Sequence, residues 1–98
     1  MWVLKTADEA EPPYTFRILP GNIKTAGRAP RADFIVDAPL VSRIHCRFTA
    51  GTDQLEVTDL ESTNGTFVNG KRVPKALLKN GDRVGVGRVT LIVDLVNS

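Results

Sequence analysis

Alternation of apolar and polar residues dominates this chain and predicts β-strands. The pattern is clear over Tyr14–Leu19 and His45–Thr49, and it extends furthest over Val89–Val96. Successive side chains of a strand point to opposite faces, so this spacing is typical of strands with one buried face. The run Phe34–Val36 is apolar without alternation and predicts a short central strand that is buried on both faces.

Turn residues divide the chain into short segments and exclude long helices. The longest run without Gly or Pro is Thr52–Asn64, thirteen residues whose apolar positions form no helical stripe. Asn-Gly, the strongest short hairpin signal, occurs three times, and Asn69-Gly70 predicts a two-residue hairpin. The acidic and then Pro-Pro segment Asp8–Pro13 is predicted as a loop. The predicted strands are Met1–Lys5, Tyr14–Leu19, Ile23–Ala26, Phe34–Val36, His45–Thr49, Gln54–Thr58, Thr66–Val68, Lys71–Val73, Arg83–Val86 and Val89–Val96.

About ten short strands in one chain predict an all-β fold, either an antiparallel sandwich or a barrel. The 98 residues, 42% hydrophobic and 24% charged, fit a single globular domain over residues 1–98 with an ordinary apolar core. The net charge of +2 is too small to indicate a nucleic-acid partner. Residues 20–50 hold five basic side chains and two acidic ones, a local excess that suits one anionic group or a short acidic peptide.

Cysteine, carboxylate and apolar content exclude several classes of protein. The single cysteine, Cys46, rules out an intrachain disulfide and a thiol-built zinc site, and its place in an alternating strand predicts a buried residue. Carboxylates are scattered singly, so no metal and no cofactor are expected. No signal peptide or membrane-length apolar run is visible. We therefore expect an intracellular monomer without membrane contacts, in the cytoplasm if bacterial, which is favoured, and in the nucleus if eukaryotic.

Three polar motifs fall where predicted strands end: Gly27-Arg28, Ser42-Arg43-Ile44-His45 and Ser62–Gly70. In a sandwich such ends gather at one edge. A guanidinium there offers a phosphate two charge-assisted hydrogen bonds, and hydroxyl groups add neutral donors. The motifs together therefore predict a phosphate-binding site built from loops.

On these motifs the chain resembles the forkhead-associated (FHA) family, β-sandwiches of about eleven strands that bind phosphothreonine peptides. The resemblance extends from Val3 to Val96. It implies that Arg28 and Ser42 hold the phosphate, that Thr63 and Arg43 assist, and that Asn64 bonds the peptide backbone. The implied function is recognition of phosphothreonine-containing proteins in kinase-dependent signalling, without catalysis.

The resemblance also implies two supporting sets of residues. One set shapes the binding loops and comprises Gly27, His45, Gly65 and Asn69. The other lies where flanking residues of the peptide are read and comprises Leu40, Val41, Glu61 and Ser62. Some members of the family carry arginine where this chain has Leu40, so an apolar residue is favoured at the third position after the phosphothreonine.

Three other functions stay open on the sequence. Ser42 and His45 suggest a hydrolase pair, but residues three apart on a strand point to opposite faces, which favours a structural histidine. The fold could also act as a phosphate-independent interaction scaffold, for instance by self-association. An isoelectric point of about 9.0 suggests a small nucleic-acid-binding barrel, although such proteins need aromatic residues on a basic face. A steep salt dependence of binding would identify the barrel.

Overall fold

The computed structural model of the chain describes residues 1–7 and 13–96, and these residues form eleven strands. No helix among them is long and apolar enough to cross a membrane. Most of the predicted loop Asp8–Pro13 lies outside the described residues. The strands are β1 (Trp2–Thr6), β2 (Thr15–Ile18), β3 (Ile23–Gly27), β4 (Phe34–Ile35), β5 (Cys46–Ala50), β6 (Leu55–Asp59), β7 (Thr66–Val68), β8 (Lys71–Arg72), β9 (Lys75–Leu78), β10 (Arg83–Val86) and β11 (Val89–Leu95).

The strands form two sheets packed as a sandwich, so the all-β prediction is confirmed. One sheet has six strands in the order β2-β1-β11-β10-β7-β8, and the other has five in the order β4-β3-β5-β6-β9. The strand pairs are antiparallel except β3 with β4, which is parallel. The parallel pair forms because the six residues 28–33 carry the chain back alongside β3, so that β4 runs in the same direction.

Alternating side chains of the two sheets fill the space between them. Leu4 and Leu91 of the first sheet are fully buried, as are Phe48 and Val57 of the second. Each such side chain stabilises the fold by about 1.5–3 kcal/mol through removal of apolar surface from water. Trp2 is 1% exposed, and its indole Nε1–H donates to the Gly51 carbonyl at 3.0 Å, which ties the first strand to the opposite sheet.

Two features of the strand prediction are wrong. Phe34–Val36 was expected to be a central strand, but β4 lies at the edge of its sheet and pairs with β3 alone. Ile35 is accordingly 43% exposed while Phe34 packs into the core. Strand β9 was not predicted, because Ala76, Leu77 and Leu78 are consecutive apolar residues and show no alternation.

The predicted hairpin at Asn69-Gly70 is present. Val68 pairs with Lys71 across it, and both turn residues have positive φ, 52° for Asn69 and 85° for Gly70. That combination is the type I′ turn, whose twist matches that of the flanking strands. The amide of Asn69 also donates to Asp82 and its carbonyl oxygen accepts the backbone N–H of Arg83, which fixes the hairpin to the start of β10.

Candidate functional site

Three loops meet at one end of the sandwich and enclose an open cleft of about 790 Å³. They are the loops that follow β3, precede β5 and connect β6 to β7, and they carry the three polar motifs. The lining residues are Arg28, Asp37, Ala38, Pro39, Leu40, Val41, Ser42, Arg43, Ile44, Glu61, Thr63 and Asn64. The five residues expected to contact a phosphopeptide are therefore brought together in one cleft.

Ser42 is held with its hydroxyl hydrogen available. Its Oγ accepts the backbone N–H of Thr63 at 3.0 Å, and its carbonyl oxygen accepts the N–H of Arg28 at 2.9 Å. A hydroxyl group has one donor and two acceptor positions, so accepting from Thr63 leaves the O–H free to donate. Ser42 thus joins all three loops and presents a donor to the cleft.

Arg28 is an exposed residue whose guanidinium group is held in place through its Nε atom. Its Nε–H donates to the Val41 carbonyl oxygen at 3.1 Å, which leaves the two terminal nitrogens to face a ligand. The carboxylate of Asp33, five residues further on, accepts the backbone N–H and the hydroxyl of Thr25. The backbone hydrogen bond from Thr25 also lowers the pKa of Asp33. Arg28 makes no ion pair with any described residue.

His45 ties two of the loops together through hydrogen bonds to their backbones. The fully buried imidazole accepts the backbone N–H of Ser42 at Nδ1 (3.0 Å), and its Nε2 lies 2.8 Å from the Gly65 carbonyl oxygen. These contacts require the neutral tautomer with the proton on Nε2. Because Nδ1 is occupied by a backbone amide and not by the Ser42 hydroxyl, the pair is not arranged as nucleophile and base.

A polar network beneath the β6–β7 loop fixes its shape. The Asp59 carboxylate accepts hydrogen bonds from the hydroxyls of Ser62 (2.5 Å) and Thr66 (2.8 Å), and Ser62 Oγ in turn accepts the Gly65 N–H at 3.0 Å. Burial by itself would raise the pKa of Asp59, but the hydrogen bonds from Ser62 and Thr66 outweigh that effect and hold the pKa below its ordinary value of 3.8. The carboxylate therefore stays ionised and holds the loop.

Gly27 allows the first two loops to approach each other. A Cβ atom at this position would overlap the Arg43 carbonyl oxygen and would lie 2.8 Å from the Arg43 carbonyl carbon. That oxygen accepts the N–H of Ala29. Only glycine permits this contact, so the Gly27-Arg28 pair sets both the loop spacing and the position of the guanidinium.

Two residues at the rim of the cleft have left-handed backbone conformations, Leu40 with φ of 70° and Glu61 with φ of 56°. Both side chains are exposed. The Asn64 amide donates to the Leu40 carbonyl oxygen at 3.1 Å, which connects the two loops above Ser42. Such conformations cost about 1–3 kcal/mol in non-glycine residues and concentrate at ligand-binding sites.

The remaining predicted residues lie outside the exposed part of the cleft. Val41 and Ser62 were expected to read flanking residues, but their side chains are 3% and 8% exposed and point inward. Val41 packs in the core, and Ser62 belongs to the Asp59 network. Asn69 lies on the β7–β8 hairpin and shapes that turn rather than the binding loops.

The described residues contain no group of three or more His, Cys, Asp or Glu side chains placed to hold a metal ion. Cys46 is fully buried, and burial raises the pKa of its thiol to about 12. A thiol in that state is a poor nucleophile. The polar chemistry of the site therefore rests on arginine, hydroxyl, amide and backbone N–H groups.

Comparison with known proteins identifies the family. A family model for the FHA domain matches residues 24–87, which span all three loops of the cleft. The chain belongs to the FHA family. Its β-sandwich agrees with an FHA domain of the CT664 protein from Chlamydia trachomatis, with a TM-score of 0.90 over 98% of both chains at 23% identity.

Two similar FHA domains have 30% sequence identity to this chain. The FhaA FHA domain, solved in complex with the intracellular domain of Rv3910, has a TM-score of 0.84 and is covered to 99%, with 95% of this chain aligned. Another, from a study of phosphothreonine-dependent FHA interactions, also has a TM-score of 0.84, with 99% and 98% coverage of the two chains.

Curated relatives are longer proteins. The glycogen accumulation regulator GarA of Mycobacterium tuberculosis is 40% identical over 75 residues, which are 76% of this chain and 46% of GarA. The oxoglutarate dehydrogenase inhibitor of Corynebacterium jeikeium is 39% identical over 75 residues and is covered to 52%. This FHA chain thus spans about half the length of these relatives.

The sequence motifs did not reveal two contributors to the site. Asp59 is one of the singly scattered carboxylates of the sequence, and its spacing to the hydroxyl residues Ser62 and Thr66 is the signal that could have indicated a network. Arg72 was not considered: its side chain lies over Gly65, where a Cβ would stand 2.5 Å from the Arg72 Nε. No local motif indicates that contact, because it depends on the β7–β8 hairpin folding back.

Proposed function

We propose that this FHA domain binds phosphothreonine-containing segments of partner proteins and acts as a non-catalytic, intracellular module in kinase-dependent signalling. The observation that carries the proposal is the convergence of Arg28, Ser42, Thr63 and Asn64 on one cleft, where the terminal nitrogens of Arg28 and the O–H of Ser42 are left available as donors. The 30% identity to an FHA domain studied for phosphothreonine-dependent interactions supports the same function.

Each residue has a defined part in this proposal. The terminal nitrogens of Arg28 form a bidentate pair with the phosphate, and the Ser42 hydroxyl and the backbone N–H of Arg43 add donors. Thr63 assists through its hydroxyl. Asn64 bonds the peptide backbone next to the phosphothreonine, and this contact uses the carbonyl oxygen that its bond to Leu40 leaves available.

Fluorescence anisotropy with degenerate phosphothreonine, phosphoserine and unphosphorylated peptide pools tests the proposal. We expect micromolar binding of the phosphothreonine pool, about −8 kcal/mol. Arg28→Ala removes a charge-assisted contact, which is equivalent to about 1.5–3 kcal/mol and to roughly a 10- to 150-fold loss of affinity.

Arg47→Ala is the matched control, because Arg47 is equally an exposed arginine but lies on β5, away from the cleft. It should bind the phosphothreonine pool like the wild type. Equal binding of the unphosphorylated pool, or indifference to Arg28→Ala, would instead indicate a phosphate-independent interaction scaffold.

A further inference from the structure

The outer face of the six-stranded sheet has an unusual row of residues across its last strands. Arg72 pairs with Phe67, Phe67 with Gly85, and Gly85 with Thr90, so these four residues share one face. Arg83, two residues before Gly85 on β10, lies on the same face. We call these five residues the basic outer face.

Gly85 opens a depression in this face. It lies in β10 between β7 and β11, and since it has no side chain, a cavity of about 480 Å³ forms above it. Phe67, Arg83 and Thr90 contribute to its walls, and Phe67 remains partly exposed. A glycine inside a strand weakens the strand and often marks a position where another chain approaches closely.

The charge on this side of the molecule is one-sided. Outward-facing residues of the described strands in this sheet include four basic side chains and one acidic side chain, namely Lys5, Arg17, Arg72, Arg83 and Asp94. On the other sheet the outward Lys75 is paired with Glu56 at 3.7 Å. An unpaired excess of cations attracts an anionic partner.

The basic outer face adjoins the phosphate cleft at two points. The Arg72 guanidinium lies against Gly65, next to Asn64: a Cβ on Gly65 would stand 2.9 Å from the Arg72 Cζ. At the other point Gly87, which lines the depression, packs against the rim loop, and a Cβ there would stand 2.9 Å from the Pro39 carbonyl oxygen. A ligand that leaves the cleft can therefore continue directly onto this face.

We propose that the basic outer face binds an acidic segment of the same partner protein that supplies the phosphothreonine. An apolar side chain of that segment fills the depression above Gly85 against the Phe67 ring. Its carboxylates pair with Arg72 and Arg83. The identity of the partner rests on the proposed function, whereas the chemistry of the face rests on the charges and the cavity.

The test compares three peptides by anisotropy: a short phosphothreonine peptide, the same peptide with an acidic tail containing one Phe, and the same tail with amides in place of carboxylates. The tail is attached at either end. About ten residues reach roughly 33 Å when extended, and the shorter dimensions of the molecule are 27 Å. We expect the acidic tail to tighten binding roughly five- to ten-fold.

Arg83→Glu and Thr90→Glu should each abolish that gain and leave binding of the short peptide within about two-fold. Arg47→Glu, the same charge reversal on the other sheet, should preserve the gain. Equal affinity for all three peptides, or a gain that survives both Arg83→Glu and Thr90→Glu, would overturn the proposal.

A second measurement separates this proposal from the proposed function. If the short phosphopeptide fails to bind, the tail peptide without phosphothreonine is titrated into the ¹⁵N-labelled protein. Shifts of the Phe67, Gly85 and Gly87 amides would support the face by itself, and their absence would overturn it. Larger shifts of these amides with a single-stranded oligonucleotide would indicate that the face binds nucleic acid and not an acidic protein segment, and this result would also overturn the proposal.

Discussion

At the scale of single residues, the cleft depends on side chains that hold its loops together by hydrogen bonds as well as on those that contact a ligand. Ser42 accepts the Thr63 N–H and receives support from His45, while Arg28 is anchored by the Val41 carbonyl oxygen. Because each donor is fixed before a ligand arrives, less conformational entropy is lost on binding. Residues that hold the loops in place, such as His45, therefore contribute to affinity although they contact no ligand.

Gly27→Ala should damage the site and the fold together. The added methyl group overlaps the Arg43 carbonyl oxygen, which is backbone and cannot move aside cheaply. We expect a loss of stability of about 1–3 kcal/mol and at least a ten-fold loss of phosphopeptide affinity. Urea denaturation and anisotropy measure the two effects.

Gly21→Ala is the control for this variant, since a Cβ at Gly21 meets no atom within 4 Å, although its φ of 91° still adds backbone strain. It should lower stability without lowering phosphopeptide affinity. If Gly27→Ala bound phosphopeptide like Gly21→Ala, the close approach at Gly27 would not control the cleft.

At the scale of elements, turns define the sandwich more sharply than strand propensity does. The type I′ turn at Asn69-Gly70 joins two strands of three and two residues, which have little pairing energy of their own. Its side-chain bonds to Asp82 and Arg83 attach it to β10. The turn thus places Arg72 over Gly65 and, through it, beside the cleft.

Gly70→Ala should cost about 1 kcal/mol, because alanine at a φ of 85° is strained although the space around it is open. Thermal or urea denaturation measures this loss, and phosphopeptide affinity should not change. Gly51→Ala serves for comparison: its Cβ would make ordinary contact with the Gln54 carbonyl oxygen at 3.4 Å. Equal losses for the two variants would show that the left-handed turn is not the cause.

Sequence alone predicted the elements whose signal is local. Alternation and turn residues located the ends of the predicted strands to within one residue, and Asn-Gly located the hairpin. The sequence did not predict features that depend on which strands pair. Phe34–Ile35 is apolar and yet lies at the edge of its sheet, and β9 shows no alternation although it pairs with β6. The cleft residues were predicted by motif, whereas the inward direction of Val41 and Ser62 depends on core packing and on the Asp59 network.

At the scale of the whole molecule, stability and binding are linked through the buried polar network at one end of the sandwich. Asp59 connects β6 to β7, and His45 connects the β4–β5 loop to the same segment. Loss of a partner in such a network leaves buried polar groups without a hydrogen bond, and each such group lowers the free energy of unfolding by about 1–3 kcal/mol. The end of the sandwich that carries the cleft is therefore expected to respond to pH as a unit.

Acid should weaken the fold through Asp59. Its pKa is lowered in the folded state, so its contribution is fully present above the unfolded value of about 3.9 and is lost as the pH falls through the lower folded value. The pKa of Asp33 is shifted in the same direction. Urea midpoints measured from neutral pH down to about 3 should fall steeply at the acid end.

Asp59→Asn provides the control for this pH dependence. The variant should be less stable at neutral pH by about 1–3 kcal/mol, and the difference from wild type should shrink in acid. Asp53→Asn, an exposed residue outside the network, should leave the curve unchanged. A constant gap between wild type and Asp59→Asn across the pH range would exclude Asp59 as the source.

The hydrogen bond that the Asn64 side-chain amide donates to the Leu40 carbonyl oxygen has a consequence for the ageing of the protein. Asn-Gly steps lose ammonia over time when the backbone N–H of the glycine can attack the asparagine side chain, and the product is aspartate or isoaspartate. In this chain all three such asparagines have hydrogen-bonded side chains, Asn64 to Leu40, Asn69 to Arg83 and Asn80 to Leu95. The Gly65 N–H is itself bonded to Ser62 Oγ, so the folded site should resist the deamidation at Asn64 that would put a negative charge in the cleft.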